Sequence, residues 1–357
     1  MWFFYGLLFL VLWGMQALMG IWFATVWPSL SGRWVMLYVP VLLTVLTLGM
    51  IGYSNVHYHA LARIGYFLAY TWFGFVFLGF CICTSFVILY YLCGGLHIMR
   101  GWMGPASVAV LLLIWGLAVW GGLSSPKVKR ISLRIPNMPK MKIAVLADSH
   151  LGMGVSLTRF DKAMTRLEQE NPDVLFAVGD IFEYGPNRMQ YAVRLRKAQT
   201  PLGTYGVLGN HEYYVGYGDS KAFFQEAGIT LLENTSVVLA NGVQVVGLKD
   251  ILTAGVTEKE MTELLSSLDK SSPVVLLSHT PKYAEAAAEN GTNLMLSGHT
   301  HNGQLWPFEY LVRLQFPRVY GLFDVKGMKF YITSGMFYWG IPLRFLAPAE
   351  IPIIEVN

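Results

Sequence analysis

The distribution of apolar residues changes abruptly near residue 125. Before it they form long, almost unbroken blocks; after it they come in short runs separated by polar segments. The blocks are Trp2–Trp27, Trp34–Ile51 (interrupted by Pro40), Gly65–Cys93 and Met103–Leu123. A hydrocarbon core takes about 20 apolar residues per helix, so the pattern predicts a four-helix transmembrane region over residues 1–125. Trp2–Trp27 is too long for a signal-peptide core and lacks its basic start, so it is expected to be a retained span.

The later pattern alternates. Strands are predicted at Lys142–Ala147, Asp173–Val178, Tyr205–Leu208, Pro273–Leu277, Asn293–Leu296, Phe330–Thr333 and Ile351–Val356. Helices are predicted at Thr158–Glu170, Arg188–Gln199, Asp219–Ala227, Glu258–Leu268 and Lys282–Glu289. Val237–Leu239 and Val243–Leu248 flank Asn241-Gly242, the signature of a tight hairpin turn. Strand–helix alternation with a hairpin predicts an α/β (α+β) sandwich over residues 141–357. Pro126 and the cluster Lys127, Lys129, Arg130 and Arg134 fall between the two regions, and residues 126–140 read as a basic linker.

Composition sharpens this division. Of the 357 residues, 54% are hydrophobic and 13% charged, and the mean hydropathy is +0.45. The only charges before Lys127 are Arg33, Arg63 and Arg100. With four spans, the amino terminus, the Arg63 loop and the basic cluster share one side of the membrane, against Arg33 and Arg100 on the other. That bias favours a cytoplasmic soluble domain. The net charge of +4 belongs to the membrane flanks, and no basic stripe interleaved with aromatics points to nucleic acid. Cys81, Cys83 and Cys93 all fall in one apolar block, so the soluble domain can hold neither a disulfide nor a cysteine zinc site. His57, His59 and His97 lie in the membrane part; His57 and His59 could bind a metal or line a site in the loop after the second span, and the plainer reading is an interfacial polar loop.

The chemistry gathers behind the predicted strands. Asp148-Ser149-His150 follows the first, Gly179-Asp180 the second, and Gly209-Asn210-His211-Glu212 the third. Ser278-His279 and Ser297-Gly298-His299-Thr300-His301 follow two later ones. Ligands of α/β sheets collect beyond the carboxyl ends of strands, and every histidine of the soluble domain stands at such an end. Two carboxylates, an amide oxygen and several imidazoles exceed one tetrahedral zinc. They suit two borderline divalent ions such as Mn, Fe or Zn, with Asp180 central enough to bridge. The positive field left over selects phosphate oxygens and acidifies a bridging water for in-line displacement at phosphorus.

These blocks resemble the calcineurin-like metallophosphoesterase superfamily, whose pattern runs D-x-H, G-D, G-N-H-[DE], H, G-H-x-H. The resemblance implies that Asp148, His150, Asp180 and His301 hold one metal and that Asp180, Asn210, His279 and His299 hold the other. It implies that His211 contacts the transferred phosphoryl group and protonates the leaving oxygen. The block Gly298–Gln304 is similar to a membrane-attached subgroup that usually reads G-H-T-H-G-G-Q, with Asn302 here in place of a glycine. Asn tolerates a left-handed backbone better than most residues.

The substrate is less legible. Leu305–Phe308, Leu314–Pro317 and Met336–Pro342 are rich in large apolar residues broken by proline and glycine. They either close the core or form a nonpolar rim for a lipid tail. On the second reading the substrate is a lipid-linked phosphodiester or pyrophosphate, with Arg344 and Arg313 as candidate phosphate contacts. The alternatives are a tethered hydrolase of a soluble phosphodiester or phosphoprotein, and a non-enzymatic membrane sensor with a structural metal site.

Overall fold

The computed structural model describes residues 2–30 and 33–357; Met1, Ser31 and Gly32 lie outside them, as do the side chains of Arg33 and His97 weighed above. The chain divides into two compact units: Met1–Leu123 with Gly340–Leu343, and Ser124–Trp339 with Arg344–Asn357.

The first unit contains helices α1 (Trp2–Val26), α2 (Arg33–Ser54), α3 (Ala60–Leu92) and α4 (His97–Leu123). Among the described residues, three apolar stretches, Gly6–Val26, Ala60–Leu92 and Met99–Leu123, are long and apolar enough to cross a membrane. In α2 the apolar stretch among those residues is Tyr38–Ser54, and Pro40 lies inside the helix. Polar side chains join the helices: Gln16 Nε2 donates to Thr44 Oγ1 at 2.8 Å, and Trp22 Nε1 to Ser107 Oγ at 2.9 Å. His59 caps α3, its Nδ1 accepting the Ala62 N–H at 3.4 Å while Nε2 meets the Tyr53 hydroxyl at 3.0 Å. Both ring nitrogens are thus used within the loop.

The second unit opens with β1 (Lys127–Leu133), β2 (Met141–Leu146), α5 (Leu157–Glu168), β3 (Val174–Val178), α6 (Arg188–Arg196) and β4 (Thr204–Val207). Next come α7 (Asn210–Val215), α8 (Tyr217–Glu226), β5 (Thr230–Leu231), β6 (Thr235–Val238), β7 (Gln244–Gly247) and α9 (Glu258–Ser266). It closes with β8 (Val274–Leu277), α10 (Ala284–Glu289), β9 (Leu294–Ser297), α11 (Glu309–Gln315), β10 (Gly321–Val325), β11 (Met328–Ile332) and β12 (Glu350–Val356).

Two six-stranded sheets result, ordered β1-β12-β2-β3-β4-β5 and β10-β11-β9-β8-β7-β6. The two-residue period of a strand explains how they stack. Ile143, Val145, Val174, Phe176, Val275, Leu277, Leu294 and Leu296 point into the core between the sheets. Their neighbours Ala144, Leu146, Leu175 and Ala177 face helices α5, α6 and α8. Val274, Leu276 and Met295 face α9 and α10. Strands buried on both faces are continuously apolar, which is why these runs stood out in the sequence.

Two differences from the sequence reading have a physical cause. The stretch 126–140 is not all linker: Lys127–Leu133 pairs in parallel with Glu350–Val356 as an edge strand. Lysine and arginine on an exposed sheet edge discourage pairing with other chains, and here they masked the strand's alternation. The second is β10, which joins β11 through Lys326-Gly327, both at positive φ (50° and 89°).

Candidate metal centre

Strands β2, β3 and β4 run parallel, as do β7, β8 and β9. Parallel pairing puts their carboxyl ends on one edge of each sheet, and the ligand loops leave from those edges. Backbone bonds tie the loops together: Asp148 N donates to Gly179 O at 3.1 Å, His150 N to Asp180 O at 3.0 Å and Gly298 N to His279 O at 3.0 Å. Asp148, His150, Asp180, His299 and His301 all adopt left-handed backbone, with φ of 51°, 40°, 52°, 72° and 49°. Such conformations are strained for residues with a Cβ and persist only where the surroundings over-determine them. Asn302 joins them at φ 51°, the conformation for which asparagine substitutes for glycine. Two glycines leave room for carboxylates: a Cβ at Gly209 would stand 2.2 Å from Asp180 Oδ1, and one at Gly298 2.4 Å from Asp148 Oδ2.

All seven residues singled out as ligands meet at one place. Asp148, His150 and His301 form one group of converging donor atoms, and Asp180, His279 and His299 another. His150 Nε2 and His301 Nε2 are 3.0 Å apart, and His301 Nε2 lies 3.5 Å from Asp148 Oδ1. Asp180 Oδ2 lies between the groups, 3.9 Å from His150 Nε2 and 3.1 Å from His279 Nε2. Asn210 Oδ1 reaches His299 Nδ1 at 2.8 Å. The donor set fits a cation. His279 Nδ1 donates to the Val178 carbonyl at 2.9 Å, which leaves the buried Nε2 aimed at Asp180 Oδ2, 3.1 Å away. Burial opposes a proton there, but Asp180 and Asp148 hold the metal-free ring well above its usual range; an imidazole fixed by a carbonyl on one nitrogen and turned to a carboxylate with the other is placed for a cation to replace that proton.

His211 is the second residue of helix α7, and its backbone N–H donates to Asp180 Oδ1 at 2.9 Å. The sequence reading missed its partner, Glu183. One carboxylate oxygen, Glu183 Oε1, lies 2.6 Å from His211 Nδ1 and 2.9 Å from His150 Nδ1. The available signal was position: Glu183 is the next acid after Asp180 in the same strand-end loop. Glu212, named in its block but given no role, has two oxygens that accept from the backbone N–H groups of Asp180, Ile181, Phe182 and Gly209 at 2.7–2.9 Å. That carboxylate holds two ligand loops in place.

Burial opposes the charge on Asp180, but His279 and His211 outweigh it and hold the carboxyl well below its usual range. Burial pushes Asp148 up to about 6 against the pull of His279. Burial likewise opposes a proton on His211, yet Asp180 and Glu183 carry it up to about 9. Glu183 is held down at about 2, its burial overcome by His211 and His150. Burial and the charge of His279 push His299 down to about 4. His301 is driven well below the usual range by burial, His150 and Arg344. Neutral imidazoles at 299 and 301 suit metal binding; a charged one at 211 suits proton donation.

Arg344 and Arg313 occupy different places. Arg344 is buried and its guanidinium donates to the carbonyls of Phe337, Ala347 (2.9 Å) and Ser334 (2.7 Å), with Nη2 3.0 Å from His301 Nδ1. Its N–H groups hold the loop behind the ligands rather than facing a substrate. Arg313 is exposed on α11. The apolar segments also divide: Met336, Phe337 and Tyr338 close the core, while Trp306, Phe308, Leu314 and Trp339 are exposed.

A sandwich whose two sheets jointly supply carboxylate, amide and imidazole donors, with a carboxylate-backed histidine beside them, defines a metallophosphoesterase-type centre. The comparisons agree: residues 141–303 match the family profile described as calcineurin-like phosphoesterase, and the chain belongs to that family. It is 35% identical over 241 residues to an uncharacterized metallophosphoesterase of Campylobacter jejuni, covering 66% of this chain and 64% of that one. It is 32% identical over 240 residues to one of Aquifex aeolicus, covering 65% of this chain and 92% of that relative. A transmembrane protein with metallophosphoesterase domain from Danio rerio is 29% identical over 275 residues, 70% of this chain and 62% of that protein.

Proposed function

We propose that the protein is a membrane-anchored phosphoesterase that uses two divalent ions to hydrolyse a phosphodiester or pyrophosphate bond of a lipid-linked substrate. The observation that carries the reading is the meeting of all seven ligand side chains around Asp180, with His211 beside them. Asp148, His150, Asp180 and His301 would hold one ion and Asp180, Asn210, His279 and His299 the other, and such ions would supply positive charge for phosphoryl oxygens and acidify a water. The chain's own residues do the rest. Glu183 orients His211 through Nδ1 and favours its protonated form, leaving Nε2 to donate to the departing oxygen. Glu212 fixes the Asp180 and Gly209 turns so that the ligands need no rearrangement. Tyr214 and Trp339, with ring centroids 5.3 and 5.5 Å from that of His211, wall the proton donor.

Helix α2 is read as a fourth span, which with the basic residues flanking the spans favours a cytoplasmic domain. Support for a lipid-linked substrate comes from exposed apolar residues: Trp339 beside His211, and Trp306, Phe308 and Leu314 after His301. A metal-reconstituted assay against a panel of membrane lipid phosphates, with head-group products identified by mass, tests the reading. Turnover should vanish in Asp180→Ala and fall by about 10²–10⁴ in His211→Ala. Equal cleavage of soluble aryl phosphodiesters and of every lipid would leave a tethered hydrolase of soluble substrates. Metal binding without turnover would leave the sensor reading.

A further inference from the structure

Helix α11 is built inside out. Tyr310, Leu311 and Leu314 share one face by their three- and four-residue spacing, and that face points to solvent: they are 57%, 57% and 84% exposed. No residue of the helix is buried. Trp306 and Phe308, just before it, are also exposed, and Glu309 and Arg313 are the only charges from Asn302 to Pro317. A surface helix of a soluble domain turns its apolar stripe to the core; this one presents it outward. The same segment is rooted in the metal centre. It departs from His301, and Phe316 at its far end packs edge-on against His299 with ring centroids 5.2 Å apart.

We infer that Trp306–Leu314 is a lipid-inserting element, with the acyl–headgroup boundary of a bilayer as its occupant. The inference rests on the membrane-bound reading above and deepens it by naming where lipid is met. Three observations favour a bilayer over a protein partner. The chain carries helices apolar and long enough to cross a membrane, so a bilayer is close at hand. Only Ser124–Pro126 separate α4 from β1, so the domain is tethered by three residues to a helix apolar enough to cross a membrane. The exposed set is tryptophan, phenylalanine, tyrosine and leucine, the composition of an interfacial helix, which buries its apolar face roughly 5–10 Å into the headgroup boundary. Because the segment starts on the loop that bears His299 and His301 and its far end packs on His299 through Phe316, a lipid reached by α11 has its head group next to the metal centre.

The experiment uses the full chain with Cys81, Cys83 and Cys93 replaced by alanine and a single cysteine introduced by Leu314→Cys, labelled with an environment-sensitive fluorophore. Lys259→Cys, on the exposed side of α9, is the reference. Both proteins are reconstituted in phosphatidylcholine–phosphatidylglycerol vesicles with and without nitroxide lipids. The 314 probe should emit to the blue of the 259 probe and be quenched several-fold more strongly by a nitroxide near the headgroup boundary. Quenching equal to that at 259 overturns the inference. Blue-shifted emission without quenching overturns it too, because the face is then covered by protein. The readout involves no turnover, so failure to find a lipid substrate does not affect it, and an unquenched probe in an enzyme that cleaves lipid phosphates refutes the inserted helix alone.

Discussion

Glu212→Gln tests whether the ligand loops are held by one buried carboxylate. Glu212 is fully buried and each oxygen takes two backbone N–H groups: Oε2 from Asp180 (2.9 Å) and Gly209 (2.7 Å), Oε1 from Ile181 (2.7 Å) and Phe182 (2.9 Å). Glutamine keeps the shape but turns an NH₂ toward two of those donors, leaving them unpaired. Hydrogen bonds to a charged group contribute about 1.5–3 kcal/mol each, so two lost bonds amount to about 3–6 kcal/mol. Part of this is offset, because burial and the neighbouring charge of Asp180 push the Glu212 carboxyl up to about 7. A net loss of about 3 kcal/mol lowers the unfolding midpoint of a domain this size by roughly 6–12 °C. The assay is thermal unfolding of the full chain in detergent, paired with metal content by elemental analysis. Glu263→Gln, at a side chain 65% exposed, is the control. A Glu212→Gln protein that melts with the wild type and keeps its metal would show that the carboxylate does not hold the loops.

Three further outcomes follow from the same geometry. His211, raised to about 9, contributes stability that is fully present below its ordinary value of 6.5 and lost as pH rises through 9. Glu183, held at about 2, contributes stability present above 4.5 and lost as pH falls towards 2. In Glu183→Gln the alkaline midpoint of the metal-free protein should fall by roughly one pH unit or more in a pH series of unfolding curves; an unmoved midpoint contradicts the pairing. Gly209→Ala puts a Cβ 2.2 Å from Asp180 Oδ1, so metal affinity measured by calorimetry should collapse while the far-ultraviolet circular dichroism stays. Arg344→Met leaves three buried carbonyls without donors and should destabilise the domain by about 2–4 kcal/mol in denaturant unfolding; if Arg344 instead bound phosphate, the Michaelis constant would move and stability would not.

Much of the soluble domain was legible because its strands are buried on both faces. Val174–Val178 and Val274–Leu277 show as plain apolar runs, and each ends where its ligand begins. Histidines sorted onto those ends made the centre readable before any coordinates. What escaped was local in a different way. Lys127–Leu133 is an edge strand, so its charges hid a real alternation. Helix α11 is seven residues long with none of them buried, too short for its period to stand out from the proline-broken stretches on either side. Glu183 and Glu212 act through the groups they hold, Glu183 on two imidazoles and Glu212 on backbone N–H, and a residue whose partners lie in another loop leaves no spacing to read. In the membrane part, hydropathy marks four apolar blocks, and among the described residues three helices are long and apolar enough to cross a membrane.

The centre draws Asp148, His150, Asp180 and Asn210 from loops of one sheet and His279, His299 and His301 from loops of the other. An ion seated there is a rivet through both halves of the sandwich. A chain that stops short of His299 lacks a donor of each proposed set, since the last donor comes more than 150 positions after the first. Filling the complete set would therefore require the docked sandwich: with the two sheets out of register, its donors no longer face one another.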